Sequence, residues 1–337
     1  MKPTNFAAHL TAFLTNYLPL QRNVSPNTIK AYRDSFVLLL RYCRDTRQLP
    51  PDRLSLEQID PPLVLDFLNH LEKDRRCTAR TRNLRLTAFH AFFRYLQTEE
   101  PGFLLPCQRM MAIPLQRQVP RVVDYLSPES LAVILRQPDL AKRAGRRDAV
   151  LMSLLYDTGT RVQELLDLSV RDVRLESPAQ VRVTGKGRKT RVVPLMNNTV
   201  ELLREYMHEQ GMSGPEQLDK PLFRNRFGGR LSRSGIRYLL EKYTQSAYAT
   251  QTPPHLPNVS PHTFRHSKAM HLLQAGNPLV VIRDFLGHAA IKSTEIYARA
   301  DLDMTRKALD KASDKSPIKG IPSWQQDKGL LEWLSSL

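Results

Sequence analysis

Along the first hundred positions, apolar residues return every three or four places, the spacing that lines one face of an α-helix. A helix is predicted over 6–17. A second is predicted over 28–44, where Ile29, Tyr32, Phe36, Leu39, Leu40 and Cys43 make one stripe. The start of the second is marked chemically: Ser25 can accept an unpaired amide of the first turn, and Pro26, which has no amide to leave unpaired, suits the first helical position. Residues 62–73, behind Asp60, repeat the pattern with Leu63, Phe67, Leu68 and Leu71. Residues 79–96 carry Arg80, Arg82 and Arg85 early and Leu86, Phe89, Phe92, Phe93 and Tyr95 later. Four helices with short connections predict a compact all-α module over 1–105.

The periodicity lapses over 106–127, a proline-rich stretch that includes Arg109, Arg117 and Arg121, and a linker is expected there. Its composition fits a connector lying along a DNA backbone and a plain solvated one equally well. Behind Ser127-Pro128 helical signals resume over 131–135 and 148–156. The period then changes to alternation. Gln180-Val181-Arg182-Val183-Thr184 and Thr190-Arg191-Val192-Val193-Pro194-Leu195 flank Gly185-Lys186-Gly187-Arg188-Lys189, which predicts a β-hairpin with glycines in its turn. Helices return over 198–210 and continue, with loops, to the end. The expected fold is mainly α with a small antiparallel β-sheet: an all-α N-terminal domain and an α+β domain over 128–310, followed by a tail over 311–337. In that tail Trp324, Leu330, Leu331, Trp333, Leu334 and Leu337 form an apolar patch, expected either to serve oligomerisation or to pack on its own domain.

Composition narrows the functional classes. The 337 residues allow two cores, and 41% hydrophobic with 25% charged residues is ordinary for a soluble globular chain. No stretch is long and apolar enough to cross a bilayer, and the N-terminus lacks the apolar run of a signal peptide. Three scattered cysteines, Cys43, Cys77 and Cys107, form no C-x-x-C pair, so a reducing cytoplasm is expected. The formal net charge of +17 changes the picture most, because a polyanion binds such a chain by releasing its counterions. Nucleic acid is therefore the leading partner, ahead of a membrane surface, for which no basic amphipathic helix is present.

Three separated features carry candidate chemistry. Arg161 follows Gly159-Thr160 at the start of a short helix, Lys186 sits at the hairpin tip, and Ser260-Pro261 opens a helix with His262 and Arg265 on one face at its N-terminal end. Helix N-termini favour anions. Two guanidiniums can grip the non-bridging oxygens of a phosphodiester, a mobile lysine can protonate a leaving alkoxide, and a histidine can accept or orient a nucleophile's proton. Plainer readings stand beside these. Arg161 can pair with Glu164 at i, i+3, and Lys189 rivals Lys186. His262 and His266, with His271 nearby, have the i, i+4 spacing of helical metal ligands. Against a metal, Thr263 stands where a zinc protease has its glutamate, and no cysteine or carboxylate cluster completes a site.

Gly159-Thr160-Arg161-Val162-Gln163-Glu164-Leu165, the Gly185-Lys186-Gly187 turn, His262-Thr263-Phe264-Arg265-His266, and Leu286-Gly287-His288 ahead of Tyr297 resemble the successive boxes of the tyrosine recombinase (phage integrase-like) family. The Xer recombinases and the integron and transposon integrases are the nearest types. Ser25-Pro26-Asn27-Thr28-Ile29-Lys30-Ala31-Tyr32 resembles the family's helical core-binding domain, so the likeness spans most of the chain. The proline-rich segment 251–258 looks like a small insertion, and the tail is longer than the catalytic boxes need. The resemblance implies that Tyr297 attacks a scissile phosphate to give a 3'-phosphotyrosine and a free 5'-hydroxyl. Arg161, Arg265 and His288 would bind the phosphate, Lys186 would act as general acid, and His262 as base or proton shuttle. It further implies no metal and no nucleotide cofactor, double-stranded DNA as partner, a homotetramer on two DNA sites with related subunits as possible companions, work at the nucleoid, and service to a mobile element. Three alternatives remain: a type IB topoisomerase-like relaxing enzyme, a DNA-binding regulator that keeps the fold without the reaction, and a metal-dependent nuclease.

Overall fold

The computed structural model describes residues 3–118, 123–185, 187, 189–250, 259–300, 306 and 329. The chain divides into two compact units, Met1–Arg121 and Val122–Leu337.

In the first unit α1 (Asn5–Ala12) runs on as a π-helical segment, Phe13–Gln21, and is followed by α2 (Pro26–Arg47), α3 (Pro61–Lys73), α4 (Ala79–Glu99) and α5 (Leu104–Met111). Local chemistry sets the helix starts. Ser25 Oγ accepts the Thr28 amide at 3.3 Å and Asp60 Oδ1 accepts the Leu63 amide at 2.9 Å, each satisfying a donor that the first turn leaves orphaned. The predicted stripes face the core, with Ile29, Tyr32 and Leu40 only partly buried: Phe36, Leu39 and Cys43 of α2 meet Phe67, Leu68 and Leu71 of α3 and Phe89, Phe92 and Phe93 of α4 in one core. Phe92 sits at its centre, edge-on to Phe6, Phe13 and Phe36 with ring centroids 5.9, 5.4 and 5.2 Å away. Such edge-to-face pairs each add about 0.5–1.5 kcal/mol to the burial itself.

The interval expected to be a linker from residue 106 begins differently. It opens within α5, whose Cys107 and Met110 are buried in this core together with the following Ile113. Pro106 falls in the first turn of that helix, where a missing amide costs nothing, so the proline starts the helix instead of breaking it. Beyond it, Asn83 clamps the backbone of Gln116, giving Nδ2–H to its carbonyl at 2.8 Å and taking its amide at 3.0 Å.

The second unit contains α6 (Pro128–Leu135), α7 (Arg143–Thr158), α8 (Val162–Asp167), strands β1 (Val173–Arg174), β2 (Gln180–Thr184) and β3 (Thr190–Pro194), then α9 (Asn197–Glu209), α10 (Arg233–Thr250), α11 (Pro261–Gln274), α12 (Leu279–Leu286) and α13 (Glu295–Ala300). The hairpin forms as expected, with Val181 opposite Val193 and Val183 opposite Arg191. β1 adds a third antiparallel strand, pairing Val173 with Val181; two residues are too few to show alternation in sequence. Val181, Val183 and Val193 turn into a core shared with Leu151 and Leu155 of α7, Leu203 of α9, Leu240 of α10 and Phe264 of α11. Among the described residues no helix is long and apolar enough to cross a membrane. The 251–258 segment and the apolar tail residues Trp324, Leu330, Leu331, Trp333, Leu334 and Leu337 lie outside the described residues.

Candidate active site

Two glycine turns set the floor of the site. α7 ends at Gly159 with φ +55°, a left-handed conformation that costs glycine little. A Cβ there would lie 2.9 Å from Leu286 Cδ2 and 3.1 Å from Phe285 Cε1, so this turn packs directly on the end of α12. α12 ends at Gly287 with φ +66° in a Schellman motif: Gly287 N–H donates to Asp284 O at 3.1 Å and His288 N–H to Arg283 O at 3.0 Å. The first turn carries Arg161 and the second carries His288, so the two residues approach because their glycines allow the backbones to touch.

Two guanidiniums pin these turns together. Arg265 of α11, only 3% exposed, donates from Nη1 to Gly159 O at 2.6 Å and from Nη2 to Leu286 O at 2.7 Å. Arg191 of β3 donates from Nε to Phe285 O and from Nη2 to Glu164 Oε2, both at 2.9 Å. Glu164, 5% exposed, also accepts the Arg161 amide at 3.0 Å and Arg161 Nη1 at 2.6 Å. The hairpin strand, the Arg161 turn and the His288 turn are therefore held in one piece.

The charge balance of this cluster is unusual. Among the described residues Arg265 makes no ion pair; its two partners are neutral carbonyls, although burial and the nearby Arg161 pull its pKa down to about 10. It stays a cation at neutral pH. Glu164 supports its charge from beyond contact, but that carboxylate is already held by Arg161 and Arg191, so an incoming anion would relieve the cost of burying Arg265. Each terminal nitrogen of a guanidinium carries a second N–H, so Arg265 keeps donors to offer after binding both carbonyls.

Tyr297 of α13 closes the group at 1% exposure. Its hydroxyl hydrogen-bonds His266 Nδ1 at 2.9 Å, the rings meeting at 5.6 Å and 60°. Burial raises the pKa of the phenol, while Arg265 and Arg161 act in the opposite direction. His288 Nδ1 pairs with the fully buried Thr294 Oγ1 at 2.9 Å, and Thr294 O in turn accepts the Tyr297 amide at 3.0 Å. The short α13 is thus tied to the His288 turn.

Of the residues singled out in sequence, Arg161, Arg265, His288 and Tyr297 are brought together here. His262 lies in the first turn of α11, which Ser260 caps, and is exposed; its ring is 6.2 Å from that of His266. The phenol's hydrogen bond goes to His266. Lys186 lies outside the described residues; the hairpin beside it is closed by Gly185 N–H to Lys189 O at 2.8 Å, and Lys189 is exposed. Among the described residues no group of three or more His, Cys, Asp or Glu is disposed to hold a metal ion. Sequence reasoning passed over three members of the cluster: Arg191, His266 as a partner of the tyrosine, and Glu164 as an acceptor for two guanidiniums. Arg191 did leave a signal. It shares strand parity with the buried Val193, and an arginine on the inward face of a strand needs an acidic or carbonyl partner.

The two imidazoles make stability depend on pH. Burial, with His262 and Arg265 beside it, holds His266 down at about 4; burial, with Arg265, Arg161 and Arg191, does the same for His288. In the unfolded chain both would take up protons near 6.5. Between these values the unfolded state binds more protons, so stability falls as pH drops from about 6.5 to 4, by up to about 1.4 kcal/mol per pH unit for each histidine. Urea midpoints measured across this range should fall with pH, and His288→Gln should flatten the slope. An unchanged midpoint would contradict the buried neutral imidazoles.

Comparison with known proteins places the chain in a family. The family model described as "Phage integrase family" matches residues 124–303, and "Phage integrase, N-terminal SAM-like domain" matches residues 11–100. An integrase/recombinase of Sinorhizobium fredii is 38% identical over 100% of this chain and 99% of its own length. Tyrosine recombinase XerC of Pelotomaculum thermopropionicum is 31% identical over 91% of this chain and 98% of its own. Among solved structures, XerH site-specific recombinase bound to a palindromic difH substrate shares the fold at a TM-score of 0.67, with 23% identity over 86% of this chain and 81% of that one. With both of its units matched and relatives aligned along nearly its whole length, the chain belongs to the phage integrase family, the tyrosine recombinases.

Proposed function

We propose that the protein is a site-specific DNA recombinase that cuts and rejoins strands through a covalent bond between Tyr297 and a DNA 3'-phosphate. The observation that carries this reading is the buried, charged Arg265, bonded among the described residues only to carbonyls and grouped with Arg161 and His288 near a tyrosine hydroxyl. A phosphodiester supplies the missing anion. Oη of Tyr297 forms a bond to phosphorus, the P–O5' bond breaks, and the 5'-oxygen takes a proton from Lys186. Arg161, Arg265 and His288 stabilise the charge that builds on the non-bridging oxygens. In the assignment taken from the family, His262 serves as base or shuttle.

Because the phosphotyrosine ester conserves the bond energy, a 5'-hydroxyl from another strand can reverse the step, and neither metal nor nucleotide is needed. Double-stranded DNA is the partner, and the net charge of +17 supports it through counterion release. Strand exchange between two sites calls for a homotetramer. The proposed setting is a mobile element, with the cytoplasmic nucleoid as place of work; the 38% identical relative bears the name integrase/recombinase.

The test is to capture DNA covalently attached to the protein in bacterial cells, sequence it, and rebuild the recovered site as a nicked suicide duplex. A detergent-resistant adduct that forms equally well in excess chelator, and recombinant products from two intact sites, are expected. Loss of the adduct on chelation would contradict the reading, and relaxation of supercoiled DNA without exchanged product would mark a topoisomerase-like enzyme instead.

A further inference from the structure

We infer that His266, through Nδ1, accepts the phenolic proton of Tyr297 during strand cleavage; this rests on the reading of Tyr297 as nucleophile. The sequence pattern gave His266 no such part. It stands one helical turn beyond His262, the residue to which the family resemblance assigns the base, and in sequence it marks only the end of the box that opens with His262 and a metal-ligand spacing from that residue.

The geometry distinguishes the two imidazoles. His266 Nδ1 lies 2.9 Å from Tyr297 Oη, whereas His262 is exposed with its ring 6.2 Å from that of His266. A hydroxyl almost wholly out of water loses its proton only to a group already in contact, because no solvent molecule competes for it. The charged and titratable groups around His266 are His262 and Arg265 on its own helix, His288 from the adjoining turn, Tyr297 from α13, and Asp124. The two neighbours weighing most on its protonation, His262 and Arg265, disfavour a second positive charge, and Asp124 opposes them weakly. The ring is therefore neutral at neutral pH, and a neutral imidazole with its proton on Nε2 presents a lone pair at Nδ1.

In the step itself Oη forms its bond to phosphorus while its proton passes to His266 Nδ1, giving an imidazolium. The P–O5' bond breaks with its electron pair going to O5', which Lys186 protonates. The gain of negative charge at the phosphate between Arg161 and Arg265 offsets the positive charge created on the ring. In the rejoining step the 5'-hydroxyl gives its proton to Lys186 as its oxygen bonds to phosphorus, the P–Oη bond breaks, and Oη takes back the proton held on His266.

Single-turnover adduct formation tests this with a suicide duplex bearing a bridging 5'-phosphorothiolate, whose leaving sulfur needs no acid, so that Lys186 drops out of the pH profile. Wild-type protein should give a rate nearly independent of pH between 6 and 8. His266→Ala should be slower by about 10²–10⁴-fold near neutrality and should gain about tenfold per pH unit, as hydroxide replaces the lost acceptor. His266→Gln can hold the hydroxyl but cannot take the proton, and should be as slow as His266→Ala while folding and binding DNA normally. Recovery of the wild-type rate in His266→Gln, or the same loss in His266→Ala at every pH, would overturn the inference in favour of a purely positioning contact. If wild-type protein forms no adduct, the nucleophile assignment fails as well, a result distinct from normal adduct formation in every His266 variant.

Discussion

Arg265→Ala is expected to lower strand cleavage by about 10³-fold or more and to destabilise the Val122–Leu337 unit by about 2–4 kcal/mol. Both effects have one origin. The side chain spans from Gly159 O to Leu286 O, residues 106 and 21 positions away in sequence, and closes the two turns that present Arg161 and His288. Removing it strands two buried carbonyls, each costing about 1–3 kcal/mol, partly offset because a buried cation is removed as well. It also removes the donor fork from the phosphate pocket. Arg265→Lys separates the contributions: an ammonium keeps the charge but cannot bridge two carbonyls and a phosphate in one plane, so most of the rate loss should remain while the charge is kept. Urea unfolding of the full chain followed by circular dichroism, beside single-turnover cleavage, measures both. A wild-type unfolding midpoint in Arg265→Ala would contradict its role as the pin.

Tyr297→Phe should show the opposite profile, with nearly full stability and no chemistry. The ring packs among Ala269, Met270, Leu273, Ile282 and Leu286, and all of that packing survives the substitution. What is lost is one hydroxyl and its bond to His266, worth about 1–2 kcal/mol. DNA binding should be within a few-fold of wild type, whereas adduct formation should fall by more than about 10⁴-fold, because no other group replaces a nucleophile. Tyr297→Ala, in contrast, leaves a cavity and should cost about 3–5 kcal/mol. A Tyr297→Phe protein that still becomes covalently attached to DNA would remove this residue from the reaction.

The parts of the fold that were legible in sequence are those whose determinants are local. Ser25 with Pro26, Asp60, and Ser260 with Pro261 mark helix starts, each cap side chain accepting the amide three positions on, and each of those helices begins where its cap stands. The hairpin was legible because alternation and a glycine turn are also local. α5 was hidden by Pro106, read as a breaker when its position in the first turn makes it a starter. In the site, Gly159 and Gly287 mark their turns in sequence, but what the turns touch does not show there. His266 and Tyr297 are 31 positions apart and Arg191 reaches Phe285 across 94; only the folded chain shows which imidazole holds the phenol and which arginine shares Glu164.

The central claim is that the hydroxyl beside His266 becomes esterified to DNA. Digesting the covalent adduct with trypsin and nuclease and sequencing the nucleotide-bearing peptide by mass spectrometry tests it most directly. The account predicts the modification on Tyr297, linked through a 3'-phosphate, with a free 5'-hydroxyl on the released strand. A nucleotide carried by any other residue, or released strands ending in 5'-phosphate, would contradict it.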